Sequence, residues 1–391
     1  MRLQRSTFLI LCCTLLTACV HSPEHPTPTP THQISFEKTT FQQIAPSSEQ
    51  EWTQALQAFQ VSCSVLEKQT LWEKVCHKAL HESYSSATQF FHEQFTPWTI
   101  AIDSLLDDKL IERKYTGLTT GYYEPLLYGS RSQDQQFCYP IYRTPDDLIQ
   151  VDLDKIYPQL KGLRLRGKIE GNRLVPYDTR ARIQKRTDMD RWAIAYVNDP
   201  IALFFLHIQG SGRILLPDGS YMRVGFADQN GYKYQSIGNW LVTNGHLARH
   251  ELSMQRIQKW AQENPSLVPE ALAQNPSYVF FRERFDNADR GPIGAQGLPL
   301  TPQASIAVDT RHWKLGTPFI IQVEQKNPSL SFTRPVIAQD TGSAIKGPIR
   351  FDYFWGFGDE AGQSAGRQKS TTKAWVLLPN GVTPEQINNT P

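Results

Sequence analysis

Asp340 and Asp352, two aspartates in the segment Gln339–Gly358, are the side chains of this chain best placed for acid–base chemistry. Aromatic residues lie on both sides of the second aspartate along the chain: Phe351, Tyr353, Phe354 and Trp355. Because burial among apolar rings disfavours the charged form of a carboxyl group, this pattern predicts a raised pKa and a proton ready for donation. An aspartate that ends a strand beside core aromatics has the same pattern, so both interpretations stay open.

Asp309 is a third acidic candidate. It follows the strand-like residues 304–308 and precedes a turn of small polar residues. Three aspartates at strand ends are three separate turn caps, or they converge at one site if the strands close into a barrel.

Two pairs of histidines are spaced by one helical turn: His77 with His81, and His246 with His250. This spacing can bind zinc, but the metalloprotease pattern requires a glutamate directly after the first histidine, and Leu247 follows His246. Histidines that face solvent explain the spacing equally well. We therefore expect neither a metal nor another cofactor.

The tripeptide Gly210-Ser211-Gly212 is a candidate for nucleophile or phosphate chemistry. A nucleophile elbow requires a glycine two residues before the serine, where this chain has Gln209. The tripeptide also lacks the Gly-Lys-Ser/Thr ending of a phosphate-binding loop. Its glycines either let the backbone approach a ligand or shape a bend in a strand.

Hydrophobic periodicity predicts two helical regions. Ser48 and Glu51 match a capping box, and helical spacing continues from there to Phe95. Helical spacing returns in the segment Gln235–Asn275.

Strands are predicted between and after these helical regions. Short β-branched and aromatic runs begin at Lys114 and continue through residues 201–227, where Asp218-Gly219 is a hairpin signal. Strand-like runs resume beyond Ser277. The order of helices, strands, helices and strands predicts two β-rich domains with helical additions.

Composition limits the possible partners. The chain has 391 residues, enough for two domains, and a formal net charge of +2. It lacks the strong basic field of a nucleic-acid-binding protein, so we expect no nucleic-acid partner. Its aromatic content of 11% is a modest excess of rings, which are common in carbohydrate-binding grooves.

The N-terminus predicts a secretory signal. Arg2 and Arg5 precede the apolar run Phe8–Leu16, which is shorter than the roughly 20 apolar residues of a membrane-spanning helix. Cys19 directly follows small residues and resembles the lipobox of bacterial lipoproteins, which implies cleavage before Cys19 and lipid attachment to it. The residue after Cys19 is Val20 and not an aspartate, which resembles the pattern of lipoproteins sorted to the outer membrane. The protein would then face the periplasm. The alternative is an ordinary secreted protein with a chance cysteine.

A proline-rich segment follows Cys19. Residues 20–33 include Pro23, Pro26, Pro28 and Pro30, which predict an extended tether between the membrane and the folded body.

Three cysteines remain in the body of the chain: Cys63, Cys76 and Cys138. In an oxidising compartment, a bridge between Cys63 and Cys76 would join two helices. We expect Cys138 to be a lone buried thiol, since no partner histidine identifies it as a nucleophile.

Six sequence blocks resemble the lytic murein transglycosylase A family. They are TGYYEP at 120–125, IQGSGR at 208–213, NPSYVFF at 275–281, GPIGA at 291–295, AVDTRHWKLGTP at 307–318 and the terminal block QDTGSAIKG with FDYFWG. The blocks occur in the family's order from about Thr116 to Pro379. The terminal segment also resembles the family's three-aspartate domain.

The resemblance implies a mainly β fold with helical additions (α+β). A double-psi β-barrel is built from the flanking chain segments, a second β-domain is inserted between them, and glycan binds in the groove between the two domains. The implied activity, in cell-wall turnover, is cleavage of the β-1,4 bond between N-acetylmuramic acid and N-acetylglucosamine in peptidoglycan. It yields 1,6-anhydromuramoyl ends without water.

The resemblance also divides the chain into segments. These are 1–18 signal peptide, 19–33 tether, 34–114 N-terminal helices and the start of the barrel domain, 115–235 inserted β-rich substrate-binding domain, and 236–391 helices and the catalytic barrel with the three aspartates.

Catalytic roles carry over by motif. Asp352 matches the family's principal acid, Asp340 its neighbouring aspartate and Asp309 the third member. Two departures affect the alignment around Asp352: Ser343 stands where the family has a glycine, and residues 348–351 lengthen the loop.

Sugar contacts are expected from both domains. The candidates for hydrogen bonds and stacking are Tyr122, Tyr123, Glu124, Gln209, Ser211, Lys346 and Trp355. Tyr122 is alternatively a plain core residue, and Trp355 alternatively a wall around the acid. The implied partners are glycan strands and the outer membrane; proteins of cell-wall synthesis or division are further candidates that the sequence does not identify.

Two rival functions share these features. A water-using glycoside hydrolase on the same barrel would use the aspartates but leave reducing ends. A lipid-anchored module that binds murein without cutting it would keep the groove aromatics and not need Asp352.

Overall fold

The computed structural model describes residues 30–285 and 291–388. The predicted signal peptide, Cys19 and most of the tether lie outside the described residues. Within those residues, no helix is both long enough and apolar enough to cross a bilayer.

The protein is a mixed α/β structure with two β-sheet domains. The helices are α1 Glu49–Leu66, α2 Thr70–His81, α3 Ala87–Gln94, α4 Arg180–Ile183, α5 Pro200–Gln209, α6 Ile237–Thr243, α7 Met254–Glu263, α8 Val268–Ala273, α9 Gly358–Arg367 and α10 Pro384–Asn388. The strands are β1 Thr31–Lys38, β2 Phe95–Leu106, β3 Lys109–Lys114, β4 Gly117–Glu124, β5 Leu126–Ser130, β6 Tyr139–Tyr142, β7 Ile149–Gln150, β8 Arg166–Glu170, β9 Arg173–Pro176, β10 Ala193–Val197, β11 Ser211–Leu215, β12 Tyr221–Gln229, β13 Val279–Arg284, β14 Ser305–Ala307, β15 Pro318–Gln325, β16 Leu330–Asp340, β17 Arg350–Phe357 and β18 Lys369–Pro379.

The first domain is a nine-stranded sheet formed by both ends of the described chain. Its strand order is β1-β2-β18-β15-β16-β14-β17-β4, with β3 on β2, and β4 also pairs with β18. The pairing therefore returns to β18, and six strands form a closed circuit: β18, β15, β16, β14, β17 and β4. Side chains that alternate along these strands form one apolar core, which includes Ile306, Phe319, Val336, Phe351 and Val376.

Three helices cover one side of this sheet. Ser48 caps α1 through the backbone of Glu51, and the Glu51 side chain returns to the backbone of Ser48, so the predicted capping box is confirmed. Residues of α1, α2 and α3 form a second core with the buried Ile320 and Ile337 of the sheet.

The cysteines of the body divide into a pair and a single thiol. Cys63 and Cys76 form a disulfide between α1 and α2, as predicted. Cys138 is exposed, so the prediction of a buried thiol is wrong. It lies just before the four-residue strand β6, where few neighbours cover it.

The second domain contains a six-stranded sheet of order β13-β12-β11-β5-β10-β6 and a three-stranded sheet of order β7-β8-β9. Helices α6, α7 and α8 pack with α5 around a separate apolar core. Strand β13 belongs to this domain although it lies beyond residue 235, where the sequence predicts that the insert ends.

Residues 200–209 form helix α5, so the strand predicted there is wrong. The Asp199 side chain accepts hydrogen bonds from the backbone of Ile201 and Ala202, and Gly210 ends the helix with a φ of 77°. Opposite faces of α5 contribute to two cores, Phe204 to one and Leu206 to the other. A helix buried on several faces shows no polar stripe, which is why its apolar run resembles a buried strand.

Two other boundaries differ from the sequence-based prediction. Strand β2 begins at Phe95, where the sequence predicts helix, and β1 begins at Thr31, inside the predicted tether. β1 pairs with β2 along its whole length, from Thr31 opposite Leu105 to Lys38 opposite Trp98. Because β1 is an edge strand of exposed or half-buried residues, it has no apolar run that could be recognised in the sequence.

Candidate active site

Strand pairing brings Asp340 and Asp352 together. Asp340 is the last residue of β16, Asp352 lies in β17, and the short strand β14 runs between these two strands. Ala307 of β14 is the partner of Asp340 on one side and of Asp352 on the other. The two Cα atoms are therefore about two strand spacings apart, roughly 10 Å. The predicted convergence of these two aspartates is present in the structure.

The carboxyl group of Asp352 is desolvated and held by a neighbouring strand. Thr120 of β4 lies opposite Asp352 in the parallel β4–β17 pair, and its hydroxyl donates a hydrogen bond of 2.6 Å to Oδ1. Burial raises the pKa of Asp352 to about 6; the nearby charge of Asp340 also raises it, while Thr120 and Arg350 oppose the rise. At this pKa the acid form predominates below about pH 6, and about a tenth of it persists at pH 7.

The rings around the acid are arranged differently from the sequence-based interpretation. Phe351 and Tyr353, the immediate neighbours of Asp352, belong to the core of the first domain, on the other face of β17. Phe354 belongs to a separate cluster with Tyr122, their ring centroids 5.1 Å apart, and this cluster contains Ala307, the strand partner of Asp352. Phe354 and Tyr122, from two strands, are therefore the rings on the same side of the sheet as the acid, whereas its immediate neighbours Phe351 and Tyr353 face the other side.

Asp340 accepts hydrogen bonds at both carboxyl oxygens. The Tyr122 hydroxyl donates to Oδ2 at 3.0 Å, and the Ala295 backbone N–H donates to Oδ1 at 2.9 Å. Burial raises the pKa of Asp340, while these donors and the backbone of Thr341 oppose the rise. The two donors favour the carboxylate form of Asp340, but they offset the effect of burial only in part, and its pKa stays raised.

Asp309 holds the loop between the other two aspartates through a hydrogen bond, and it also forms an ion pair. It is buried, with an ion pair to Arg311 of 2.6 Å and a hydrogen bond of 2.7 Å from the Gly347 backbone. Burial alone would raise the pKa of Asp309, but Arg311 and the Gly347 N–H outweigh it and hold the pKa well below its usual range. Trp313 Nε1 donates to the carbonyl of Pro348 in the same loop at 2.8 Å. This geometry suits a permanent anion that positions the loop.

The three consecutive sugar-binding candidates on β4 already make contacts within the protein. Tyr122 is buried and bonded to Asp340. The Tyr123 hydroxyl donates to the sulfur of Met254. Glu124 is 1% exposed and forms ion pairs of 2.9 Å with Arg213 and 3.5 Å with Arg223. A sugar therefore finds no free acceptor at Glu124, whose position favours a structural role.

The remaining sugar-binding candidates are more accessible. Gln209 Oε1 accepts from the Tyr123 backbone at 3.2 Å, and Ser211 is half-buried at the start of β11. Lys346 is exposed in the loop before β17. Trp355 is half-buried, and its Nε1 donates to Gln368 at 2.7 Å. Their contact with sugar stays a prediction.

Three residues of the site are absent from the sequence-based prediction: Thr120, Arg350 and Ala295. Thr120 lies within the TGYYEP block and Ala295 within GPIGA, so the blocks contain both, but residue type alone does not distinguish them. Arg350 lies in the lengthened loop, for which no role is predicted.

One of the two histidine pairs brings its imidazole rings close together. His77 and His81 have ring centroids 4.8 Å apart, but the described residues contain no group of three or more side chains that could hold a metal ion.

Comparison with known proteins identifies two family domains. Residues 118–282 match the MltA specific insert domain, and residues 304–378 match the 3D domain. The crystal structure of MltA from Neisseria gonorrhoeae (monoclinic form) is 36% identical, covers 92% of this chain and 97% of that chain, and superposes with a TM-score of 0.76.

An Escherichia coli sequence and an E. coli crystal structure extend the comparison. Membrane-bound lytic murein transglycosylase A of strain K12 is 33% identical over 266 residues, which are 66% of this chain and 64% of that protein. The match thus spans just under two thirds of this curated relative. The crystal structure of E. coli MltA with bound chitohexaose is 26% identical with a TM-score of 0.66, over 88% of this chain and 94% of that chain.

Proposed function

This chain belongs to the lytic murein transglycosylase A (MltA) family, and from that membership we propose that it is a peptidoglycan lytic transglycosylase. It cleaves the β-1,4 bond between N-acetylmuramic acid and N-acetylglucosamine and leaves a 1,6-anhydromuramoyl end. The observation that carries the proposal is Asp352, a desolvated carboxyl group with a pKa of about 6 in a site shared with Asp340.

Asp352 acts twice in the proposed reaction. As an acid it donates its proton to the glycosidic oxygen while the bond from C1 of the muramoyl sugar to that oxygen breaks and C1 gains oxocarbenium character. As a carboxylate it then takes the proton of the sugar's 6-hydroxyl, whose oxygen forms the new bond to C1. The proton returns to Asp352 and no water is consumed. The internal hydroxyl needs no positioned water because it is already tethered to the reacting ring.

Asp340 stabilises the positive charge that develops on the sugar. Its two oxygens accept from Tyr122 and Ala295, which hold the carboxylate in one orientation without neutralising it. A fixed charge directed at the developing charge requires little reorganisation during the reaction. Asp309 positions the loop between the two aspartates and stays ionised throughout.

The six-stranded circuit of the first domain is the double-psi barrel that the family implies. Its support is the double pairing of β4 with β17 and β18 and the apolar core that the six strands share. The barrel uses β4, Gly117–Glu124, together with the strands β14 to β18 that follow the insert. We place the insert from about residue 126, where β5 begins, to about 284, supported by the family match at 118–282 and by the pairing of β13 with β12.

Glycan strands of peptidoglycan bind in the groove between the two domains. The E. coli relative crystallised with chitohexaose supports a glycan ligand. Gln209, Ser211, Lys346 and Trp355 are the proposed sugar contacts. The protein is proposed to be held at the outer membrane by lipids on Cys19 and to face the periplasm, which agrees with the membrane-bound name of the E. coli protein.

A soluble form lacking Cys19, incubated with purified murein sacculi, tests the activity by mass spectrometry. The expected products are muropeptides lighter by one water than hydrolytic products. Asp352→Asn should abolish them while the protein still sediments with sacculi, and Asp108→Asn, which replaces an exposed aspartate in the turn between β2 and β3 of the same domain, should leave them unchanged. Reducing ends would indicate a hydrolase, and intact sacculi with bound protein would indicate a binding module.

A further inference from the structure

Arg350 is a half-buried cation next to the acid that the reaction described above does not use. It is the first residue of β17, and its Nη2 donates to Thr120 Oγ1 at 3.0 Å. Its Nη1 donates to the carbonyl of Phe351. A guanidinium group has hydrogen-bond donors only, so the direction of both contacts is fixed.

The contact with Arg350 limits where the Thr120 hydrogen can point. A threonine hydroxyl has one hydrogen and two lone pairs. Arg350 occupies one lone pair of Oγ1, and the carboxylate of Asp352 can only accept, so in that state the hydrogen of Thr120 points to Oδ1, which lies 2.6 Å away. Where the hydrogen keeps this direction in the acid state, Oδ1 stays an acceptor and the proton of Asp352 is on Oδ2.

We propose that Arg350 is a positioning residue that acts through Thr120 to place the transferable proton of Asp352 on Oδ2. This proposal rests on the proposed transglycosylase function. Oδ2 donates its proton to the glycosidic oxygen and becomes the basic oxygen that takes the proton of the 6-hydroxyl. Oδ1 keeps its hydrogen bond to Thr120 in both half-reactions. One oxygen thus performs both transfers, and the carboxyl group does not have to rotate between them.

A second arginine–aspartate pair in the same domain shows why the contact is indirect. Arg311 contacts Asp309 directly at 2.6 Å, and the pKa of Asp309 lies well below its usual range. Arg350 reaches Asp352 through the Thr120 hydroxyl, and the pKa of Asp352 is still raised to about 6. A direct ion pair would strongly favour the carboxylate and remove the acid form. Thr120 lets Arg350 orient the Asp352 carboxyl group while the positive charge of Arg350 is not in direct contact with that group.

The test is a double-mutant cycle on the full chain purified in detergent, with murein sacculi as substrate. The variants are Thr120→Val, Thr120→Ser, Arg350→Gln and the Thr120→Val/Arg350→Gln double variant. Thr120→Val should lower kcat by about 10-fold to 100-fold with little change in KM, since a hydrogen bond to a charged group is lost. Thr120→Ser should keep most activity because it retains the hydroxyl. Arg350→Gln should lower kcat in the native background only, so the double variant should match Thr120→Val.

The pH profile separates positioning from a merely structural role. Among the described residues, the charged or titratable groups on the elements around Asp352 are Arg350 on β17, Asp340 on β16, Tyr122 on β4 and Lys369 on β18, the strand partner of Thr120. Asp359 and Glu360 lie in the first turn of α9, which packs on β4 and β17. Only the favourable contacts from Thr120 and Arg350 are removed in these variants. The alkaline limb of kcat/KM should therefore move to higher pH in Thr120→Val and Arg350→Gln.

Arg334→Gln is the matched control. Arg334 is a half-buried arginine of β16 that is paired with Glu51 on α1. Its replacement should leave the pH profile of kcat/KM in place, and thermal unfolding of each variant checks its fold. Additive losses in the cycle, or an alkaline limb that moves in neither variant, would overturn the proposal. Wild-type protein that forms no anhydro product would instead contradict the proposed function.

Discussion

Asp340 and Asp352 are the two strand partners of a single residue, Ala307, one through a parallel pair and the other through an antiparallel pair. Both aspartates are thus held by hydrogen-bonded strands and not by flexible loops. A sheet fixes the spacing of its strands more tightly than a loop fixes its side chains, so the distance between the proposed acid and the proposed charge stabiliser is set by the backbone.

The pH dependence of activity should follow the acid form of Asp352. Because burial raises its pKa to about 6, the protonated acid predominates below that pH and is lost above it. We expect kcat/KM to fall about tenfold per pH unit above about pH 6. Initial rates of anhydro-product formation across the pH range measure this. A flat profile up to about pH 8 would mean that another group donates the proton.

Asp352→Asn should stabilise the protein at alkaline pH. The pKa of Asp352 is about 6 in the folded protein, against about 3.9 for an unfolded aspartate, so between these values the folded state binds the additional proton and stability falls as pH rises. Above about pH 6 the native protein holds a desolvated carboxylate, which asparagine removes. We expect a gain of about 1–2 kcal/mol in the free energy of unfolding at about pH 8, and little change at about pH 4.

Denaturant titrations at the two pH values measure this difference. Asp108→Asn, which replaces an exposed aspartate in the turn between β2 and β3, should change neither value by more than about 0.5 kcal/mol. A loss of stability for Asp352→Asn at the alkaline pH would contradict a raised pKa.

Tyr122→Phe and Tyr123→Phe should differ although the two residues are adjacent. Tyr122 donates to Asp340, whereas the hydroxyl of Tyr123 contacts only the sulfur of Met254. Loss of the Tyr122 donor weakens the hold on the Asp340 carboxylate, so we expect about a tenfold lower kcat for Tyr122→Phe. Tyr123→Phe should stay within about twofold of the wild type. Equal rates for the two variants would remove the role assigned to Tyr122.

Arg311→Met should destabilise the loop that carries Gly347. The variant leaves the buried Asp309 carboxylate without its cation, although the Arg311 side chain is 63% exposed, which screens the pair. We expect the free energy of unfolding at neutral pH to fall by more than in the control below, because Asp309 stays buried without its cation. The control is Arg191→Met, which breaks a pair of 3.4 Å with the accessible Asp188 and should cost less than about 0.5 kcal/mol. Urea titrations of both variants measure these losses. Equal losses of free energy of unfolding would show that the buried Asp309 carboxylate does not depend on Arg311.

The sequence predicted Asp340 and Asp352 because they lie in one short segment whose residue types suggest a desolvated acid. Their support could not be predicted in the same way. The aromatic cover of Asp352 comes from Tyr122 as well as Phe354, and strand alternation directs Phe351 and Tyr353 to the other side. Such information depends on which strands pair, and a linear pattern does not contain it.

Two other differences have physical causes of the same kind. Helix α5 resembles a strand in the sequence because apolar cores cover several of its faces. Glu124 looks like a free polar group in the TGYYEP block, but Arg213 and Arg223, from two strands of the other sheet, bury and neutralise it. In both cases partners that are remote in sequence decide the environment.

The contact between Thr120 and Asp352 also has a consequence for how the protein is made. The two residues are 232 positions apart, and the strand that holds Thr120 is synthesised long before the strand that holds its partner. Contacts of such long sequence separation form late in folding, because a long loop must close first. The acid is therefore assembled only after nearly the whole chain exists, and a nascent or truncated chain that ends before β17 contains no working site. Under the proposed transglycosylase function, the protein therefore cannot cut peptidoglycan until its synthesis is almost complete.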